Sequence, residues 1–367
     1  MPESNERFDN LLLTAIKHDA SDLHLKANSR AFLRIKGNLV PCGQNPITAA
    51  ELRGMIMYTM TEEQKAEFAV RKEIDYGLKI EGIGRFRVNA YTAQGDMEAV
   101  LRVVQSKVKS AEALRLPPVI NKLAALKDGL VLVAGSTGSG KSTTLAAMID
   151  FVNKREQKRI ITIENPVEVI HEDVKSVISQ REIGGDTDSF GAALRSVLRQ
   201  NPDIILIGEI RDKETADSAL QAAQTGHLVF STIHAGTAEE TVNRFAGLYP
   251  AEERPNLKRA LAYSLKGVLV QRLIVDSGGK KLPVLEILTS TDRVTQALLA
   301  DAEDKPNRET ITKVITESEM YGMMTLDQYL LKLVINNVID IETAILESVN
   351  PLTMKQSLHQ RGLTFDS

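Results

Sequence analysis

The apolar run Leu130-Val-Leu-Val-Ala134 leads straight into Gly135-Ser-Thr-Gly-Ser-Gly-Lys141-Ser142-Thr143, and a helix-forming stretch, Thr144 to Val152, follows. A strand, a glycine-rich turn and a helix in that order are the parts of a phosphate-binding loop, and every fixed position of G-x-x-x-x-G-K-S is matched. Glycine leaves no Cβ between the backbone N–H groups and a phosphate oxygen, and the helix N-terminus adds a fixed positive end. Ser136, Thr137, Gly138, Ser139, Gly140 and Thr143 are therefore expected to line the phosphates. Lys141 is expected to reach the β and γ phosphates, and the Ser142 hydroxyl to coordinate Mg²⁺. An ordinary glycine turn before a helix would not need all of these positions. The loop implies a nucleoside triphosphate site.

The rest of the chain narrows the setting. Its 367 residues suffice for two or three domains. The formal net charge is −3, aromatic residues make up 4% and Trp is absent. These values disfavour a groove built on phosphate neutralisation and base stacking, so no nucleic-acid partner is expected. The single Cys42 suits a reducing compartment. No run of eighteen apolar residues predicts a membrane span, and the start Met1-Pro-Glu-Ser-Asn-Glu6 does not read as a signal peptide. A cytoplasmic protein is expected, with any membrane contact made through a partner and no direct insertion.

Residues 1–105 read as a small α/β domain. Phe8, Leu12 and Ala15/Ile16 recur at helical spacing, Leu33/Ile35 alternate with Arg34/Lys36, and Gly37-Asn38 forms a turn. Thr48-x-x-Glu51 and Thr61-x-x-Gln64 are capping-box patterns. Three alternating strands follow, through Ile74/Tyr76/Leu78/Ile80, Phe86/Val88/Ala90 and Met97/Ala99/Leu101/Val103. Alternation then puts Arg85, Arg87 and Arg102 on the face opposite the core. That face reads either as solvated or as sensing phosphate. Residues 106–118, polar and ending in Pro-Pro, read as a linker. From 119 to 290, strands at Leu130–Ala134, Ile160–Ile163, Asp203–Ile207, Leu228–Ser231 and Leu282–Leu288 alternate with helices, which predicts a mostly parallel sheet covered on both faces. Residues 291–367 read as helical, with Leu326, Tyr329/Leu330 and Leu333/Val334 as a core stripe behind Thr325-x-x-Gln328.

Three more segments carry chemistry. Asp203-Ile-Ile-Leu-Ile-Gly208-Glu209 delivers a carboxylate, Glu209, from a strand end to the Mg²⁺ shell. Ile160-Ile-Thr-Ile163-Glu164-Asn-Pro166 ends a second strand in Glu164, and strand carboxyl ends gather at the ligand crevice of such a sheet. One of these acids would hold the metal and the other would orient or deprotonate water; their order in the chain does not divide the roles. Glu168 and Glu172 are read as surface charges. In Gly226-His227-Leu-Val-Phe-Ser-Thr-Ile-His234, the small residues near the strand's end favour His234 as a γ-phosphate sensor, while His227 reads equally as structural. No zinc site is expected, because no second His or Cys pair stands at ligand spacing.

Together these motifs resemble the RecA-like secretion and pilus ATPases, most closely the PilT family of type IV pilus retraction motors. The resemblance rests on Ala20-Ser-Asp-Leu-His-Leu25, Gly135–Thr144, Thr162-Ile-Glu164-Asn-Pro-Val-Glu168, Asn201–Asp212 and Thr225–His234, in order along nearly the whole chain. It implies a PAS-like first domain, a RecA-like P-loop second domain, and a homohexamer that hydrolyses ATP with Mg²⁺. It implies Glu164 as catalytic base in the Asp box, Glu209 as the acid of the second nucleotide-binding motif, and His227 and His234 in the His box. It implies Arg87 and Arg102 as first-domain arginines that approach the γ-phosphate, with Arg195, Arg199 and Arg211 available to a neighbouring subunit. The implied partners are an inner-membrane pilus platform protein and a second pilus ATPase, placing the motor at the cytoplasmic side of the inner membrane. Two departures from the pattern stand out: Asn165 stands where the box usually has Asp, and Arg293-Val294-Thr295 where retraction motors usually have Ala-Ile-Arg. The long N-terminal extension and four-Cys segment of many extension motors are not found. Beside retraction, the open readings are an extension or bifunctional motor, a type II secretion ATPase, and a nucleotide-gated regulator of a partner motor.

Overall fold

The computed structural model of the chain describes residues 6–35, 37–104, 108–305 and 309–363. They separate into two compact units, divided between residues 107 and 108. Lys36 and residues 106 and 107 of the expected linker lie outside the described residues.

The first unit runs α1 (Glu6–Lys17), β1 (Asp22–Leu25), β2 (Ser29–Ile35), β3 (Asn38–Ile47), α2 (Ala49–Tyr58), α3 (Glu62–Arg71), β4 (Glu73–Ile80), β5 (Gly84–Ala93) and β6 (Asp96–Val104). Its six strands form one antiparallel sheet in the order β3-β2-β1-β6-β5-β4. Phe86, Val88, Ala90, Met97, Ala99 and Leu101 point into a core shared with Phe8, Leu12 and Ala15 of α1. The alternation that buries them turns Arg87 and Arg102 to the other face, as their positions in sequence require. Of the two expected capping boxes, Thr61 and Gln64 close one reciprocally. At α2 only Thr48 caps, because the Glu51 carboxylate is taken by Arg7 at 2.6 Å.

The second unit runs α4 (Val119–Ala124), β7 (Gly129–Ala134), α5 (Lys141–Asn153), β8 (Arg159–Glu164), β9 (Val177–Glu182), α6 (Phe190–Val197), β10 (Ile204–Ile207), α7 (Lys213–Gln224), β11 (Leu228–Ile233), α8 (Ala238–Gly247), α9 (Arg254–Ser264), β12 (Leu265–Val275) and β13 (Lys281–Thr289). It ends in α10 (Asp292–Ala302), α11 (Ile311–Thr316), α12 (Leu326–Ile335), α13 (Ile341–Glu347) and α14 (Pro351–His359). The seven-stranded sheet has the order β13-β12-β7-β11-β10-β8-β9, and only the β12–β13 pair is antiparallel.

Both faces of the sheet are buried along β7, β8, β10 and β11, which is why these strands read as unbroken apolar runs. Leu130, Leu132 and Ala134 pack on one side with α6 to α11, while Val131 and Val133 pack on the other with α4, α5 and α12 to α14. Phe230 is wholly buried in the second core, and truncating it to Ala would cost about 3–5 kcal/mol. Ala111 and Leu116, within the segment read as a linker, are buried in that same core, so the chain from Val108 onward packs as part of the second unit. Arg293 sits in the first turn of α10, where the family pattern has Ala, and is engaged structurally: it pairs with Glu309 at 2.9 Å and Glu317 at 2.5 Å, tying α10 to α11.

Candidate active site

Because β7, β8, β10 and β11 are parallel, their carboxyl ends open onto the same edge of the sheet. The register pairs Ala134 with Ile233, and Ile207 with both Ile163 and Ser231. The residues just beyond these pairs therefore emerge together. They are the glycine-rich loop after β7, Glu164 at the end of β8, Glu209 after β10, and His234 after β11. A cavity of about 490 Å³ at that edge is lined by Lys141, Ser142, Glu164, Glu209 and His234, together with Thr137, Gly138, Gly140 and Thr143 of the loop.

The loop's shape depends on glycine. Gly138 and Gly140 adopt φ of 80° and 88°, in the left-handed region, and Gly140 is the residue from which α5 starts. At the start of α5, Lys141 Nζ donates to the Gly135 and Ser136 carbonyls, both at 2.9 Å. Burial pulls the Lys141 ammonium below its usual pKa, against the pull of Glu209 and Glu168. Ser136 lies on the far side of the loop, lining a neighbouring cavity with His234, and Ser139 is buried beneath it.

Glu164 is held from several directions. Its Oε1 accepts from Thr162 Oγ1 at 2.7 Å and from Gln180 Nε2 at 3.2 Å, and the Glu168 backbone N–H also donates to the carboxylate. Burial nevertheless dominates these bonds and raises its pKa. Glu209 is largely buried and pairs with Arg211 at 2.6 Å. Burial lowers the His234 pKa, reinforced by Lys141, which favours neutral imidazole at this edge. No cluster of three or more His, Cys, Asp or Glu side chains able to hold a metal exists among the described residues. Mg²⁺ needs none here, since it is commonly held by one or two protein oxygens plus phosphates and water. The Ser142 hydroxyl and the Glu209 carboxylate are hard oxygen donors on the one cavity and fit that requirement.

Not every expected residue gathers here. His227 precedes β11 and stands next to Leu228, which pairs with Gly129 at the amino end of β7. It is thus at the opposite sheet edge from the loop, and its Nδ1 is bonded to the Ala222 carbonyl at 3.0 Å. Within one chain it does not join the cavity; two histidines seven residues apart across one strand cannot share an end. Arg87 and Arg102 belong to the other unit, where Arg87 lies 4.0 Å from Asp75 and Arg102 2.9 Å from Asp22. Arg195 pairs with Glu214, and Arg211 with Glu209 of its own chain.

Other contributors gave little sign in the sequence. Glu168, read as a surface charge, is exposed but lines the cavity as well as bonding Glu164. His171 lines it too, with burial pushing its pKa down to about 4. Gln180 comes from β9, a strand the sequence reading did not find.

The chain matches the model of the "Type II/IV secretion system protein" family over residues 4–360. It is 40% identical over 334 residues to the Pseudomonas aeruginosa type IV pilus retraction ATPase PilT, covering 91% of this chain and 96% of that protein. It is 36% identical to the type IV pilus ATPase PilU of the same organism, over 95% of this chain and 90% of that one. The fold superposes on a crystal structure of the pilus retraction motor PilT with bound ADP at a TM-score of 0.86, with 34% identity, covering 95% of this chain and 98% of that chain. An N-terminal domain followed by a RecA-like ATPase domain is the architecture they share. With the family matched along almost the full chain and the glycine loop and both strand-end acids on one cavity, this protein belongs to the type II/IV secretion system protein family, as a PilT-like member.

Proposed function

We propose that this chain is a Mg²⁺-dependent ATPase that works as a hexamer to power type IV pilus retraction, coupling ATP hydrolysis to disassembly of the pilin filament. The observation that carries the reading is the convergence of Lys141, Ser142, Glu164, Glu209 and His234 on one cavity beside the glycine loop. Glu164, its carboxylate fixed by Thr162 and Gln180 and its pKa raised by burial, has the properties of a general base that accepts a proton from water. His234, kept neutral, is suited to read the γ-phosphate. Lys141 and the loop N–H groups bind and orient the phosphates. Mg²⁺, held by Ser142 and Glu209, would neutralise charge on the phosphate oxygens. Arg87 and Arg102 supply further positive charge for hydrolysis, residues 1–105 being read as a PAS-like first domain.

No described helix is long and apolar enough to cross a membrane. On the family resemblance, the motor is assigned to the cytoplasm, reaching the inner membrane through a platform protein, with a second pilus ATPase as a further partner. A second reading, an extension or bifunctional motor or a type II secretion ATPase, is favoured by one observation. Where retraction motors carry Ala-Ile-Arg, Arg293 here is committed to Glu309 and Glu317. Imaging pili in a strain lacking the gene separates these readings. Hyperpiliated cells that do not retract support the retraction motor, bald cells indicate extension, and a secretion defect indicates the third. Intact piliation dynamics with nucleotide binding but no phosphate release would leave a nucleotide-gated regulator.

A further inference from the structure

Gln271 lies on β12, next to the loop-bearing strand β7, and is almost wholly buried at 2% exposure. Both ends of its amide are engaged by the phosphate loop and its helix. Nε2 donates to the Ser139 carbonyl at 2.7 Å, and Oε1 accepts from Thr144 Oγ1 at 2.6 Å. Its backbone is just as close: a Cβ at Gly135 would overlap the Gln271 carbonyl oxygen. A Cβ at Gly140 would stand 2.8 Å from Gln271 Nε2. One residue thus meets the loop at its first glycine through its backbone, and at Ser139, the last glycine and the first turn of α5 through its side chain.

The chemistry of an amide suits this position. Lys141 serves the Gly135 and Ser136 carbonyls, but the Ser139 carbonyl needs a donor from behind the loop, while Thr144 needs an acceptor. Only a group that donates and accepts about two ångströms apart serves both, and neither a carboxylate nor an apolar side chain does so. Without it, the buried Ser139 carbonyl and Thr144 hydroxyl would be left unpaired, and the loop would be free to adopt other shapes.

We infer that Gln271 is a positioning residue for the nucleotide site: it holds the phosphate loop from behind in the shape that binds phosphate. It contacts no reacting atom. This assignment rests on the nucleotide-binding reading above and adds to it a second function for two loop glycines: Gly140 leaves room for the Gln271 amide and Gly135 for the Gln271 backbone carbonyl.

The test is a double-mutant cycle on the purified full-length chain, with Mg·ADP affinity measured by calorimetry and KM and kcat by phosphate release. Gln271→Met keeps the volume and removes both bonds; Thr144→Val removes one from the other side. Each is expected to weaken Mg·ADP binding about tenfold and to raise KM by a similar factor, with kcat changed less. Because they break one shared contact, the double variant should lose clearly less than the product of the two single losses. Mg·ADP affinity within about twofold of wild type in either variant, even one with a lowered melting temperature, would overturn the inference. If Gln271→Met does not fold, Thr144→Val decides the question together with Gln271→Glu. The latter should bind weakly at pH 8 and recover as protonation restores a donor toward Ser139, and binding equal to wild type at pH 8 counts against the inference. Wild-type protein that fails to bind Mg·ADP would remove the nucleotide reading itself, a result distinguishable from loss of this inference alone.

Discussion

Arg87 on β5 and Arg102 on β6 sit directly opposite each other in the antiparallel ladder, two guanidinium groups on one face of the first unit's sheet. Like charges in that arrangement cost stability, by about 0.2–1 kcal/mol for a cross-strand pair. Asp22 is close to Arg102 and Asp75 more loosely to Arg87, which offsets part of the repulsion. A pairing that does not favour the fold points to a use elsewhere.

Assigning these arginines to hydrolysis predicts that Arg87→Ala lowers ATP turnover about 10³-fold or more, within the range that arginines contribute in other phosphoryl-transfer systems. The melting temperature should stay the same or rise slightly, since Arg87 is half-exposed and its nearest acid lies 4.0 Å away. Phosphate release and thermal denaturation on the same preparation check both parts. Full turnover in Arg87→Ala would return this face to the role of a solvated surface.

Glu164→Gln keeps the size of the side chain and an acceptor for Thr162, but removes the basic carboxylate. Turnover should fall about 10²–10⁴-fold while ATP affinity changes only a few-fold. Single-turnover kinetics beside equilibrium binding makes the comparison. A parallel collapse of affinity would show that Glu164 shapes the cavity and does not serve the chemistry.

His171 supplies a pH test of the site's burial. Its pKa in the folded chain is about 4 against an ordinary 6.5, because burial disfavours the imidazolium more than nearby Asp150 favours it. Between these values the unfolded chain binds more protons than the folded one. The neutral histidine's contribution is therefore intact above about pH 6.5 and declines as pH falls toward 4, by up to about 1.4 kcal/mol per pH unit inside that window. His171→Asn cannot titrate, so the stability difference between wild type and variant should shift against wild type on acidification. Urea unfolding at pH 7, 5.5 and 4.5 measures this. A difference that stays constant across the three would mean that His171 is solvated.

The parts of this molecule that were legible in the sequence share a physical cause. Strands β7, β8, β10 and β11 are buried on both faces, so they appear as apolar runs, and each ends in a residue whose chemistry stands out. The arginine face was legible because alternation on a strand leaves no choice once Phe86 and Val88 are buried. Strand β12 was not, because α9 runs into it at Ser264–Leu265 without a turn residue and Gln271 and Arg272 interrupt its apolar pattern. β9 was hidden similarly: Val177–Glu182 is polar and only partly buried at the sheet's edge. With those two strands went Gln271 and Gln180, amides whose importance lies wholly in what they touch. The sheet edge that His227 occupies was hidden for a different reason. A histidine beside a glycine before a strand looks the same at either end of the sheet, and only the direction of β11 tells which edge it occupies.

Steady-state phosphate release from Mg·ATP by the purified chain, run beside Lys141→Ala and Glu209→Gln, tests the central claim most directly. The account predicts turnover by wild type and a loss of about a hundredfold or more in both variants. Glu209→Gln should remain folded, with its cavity otherwise intact. Turnover persisting at the wild-type rate in Lys141→Ala would contradict the account, because the glycine loop after β7 could not then be where ATP is cleaved.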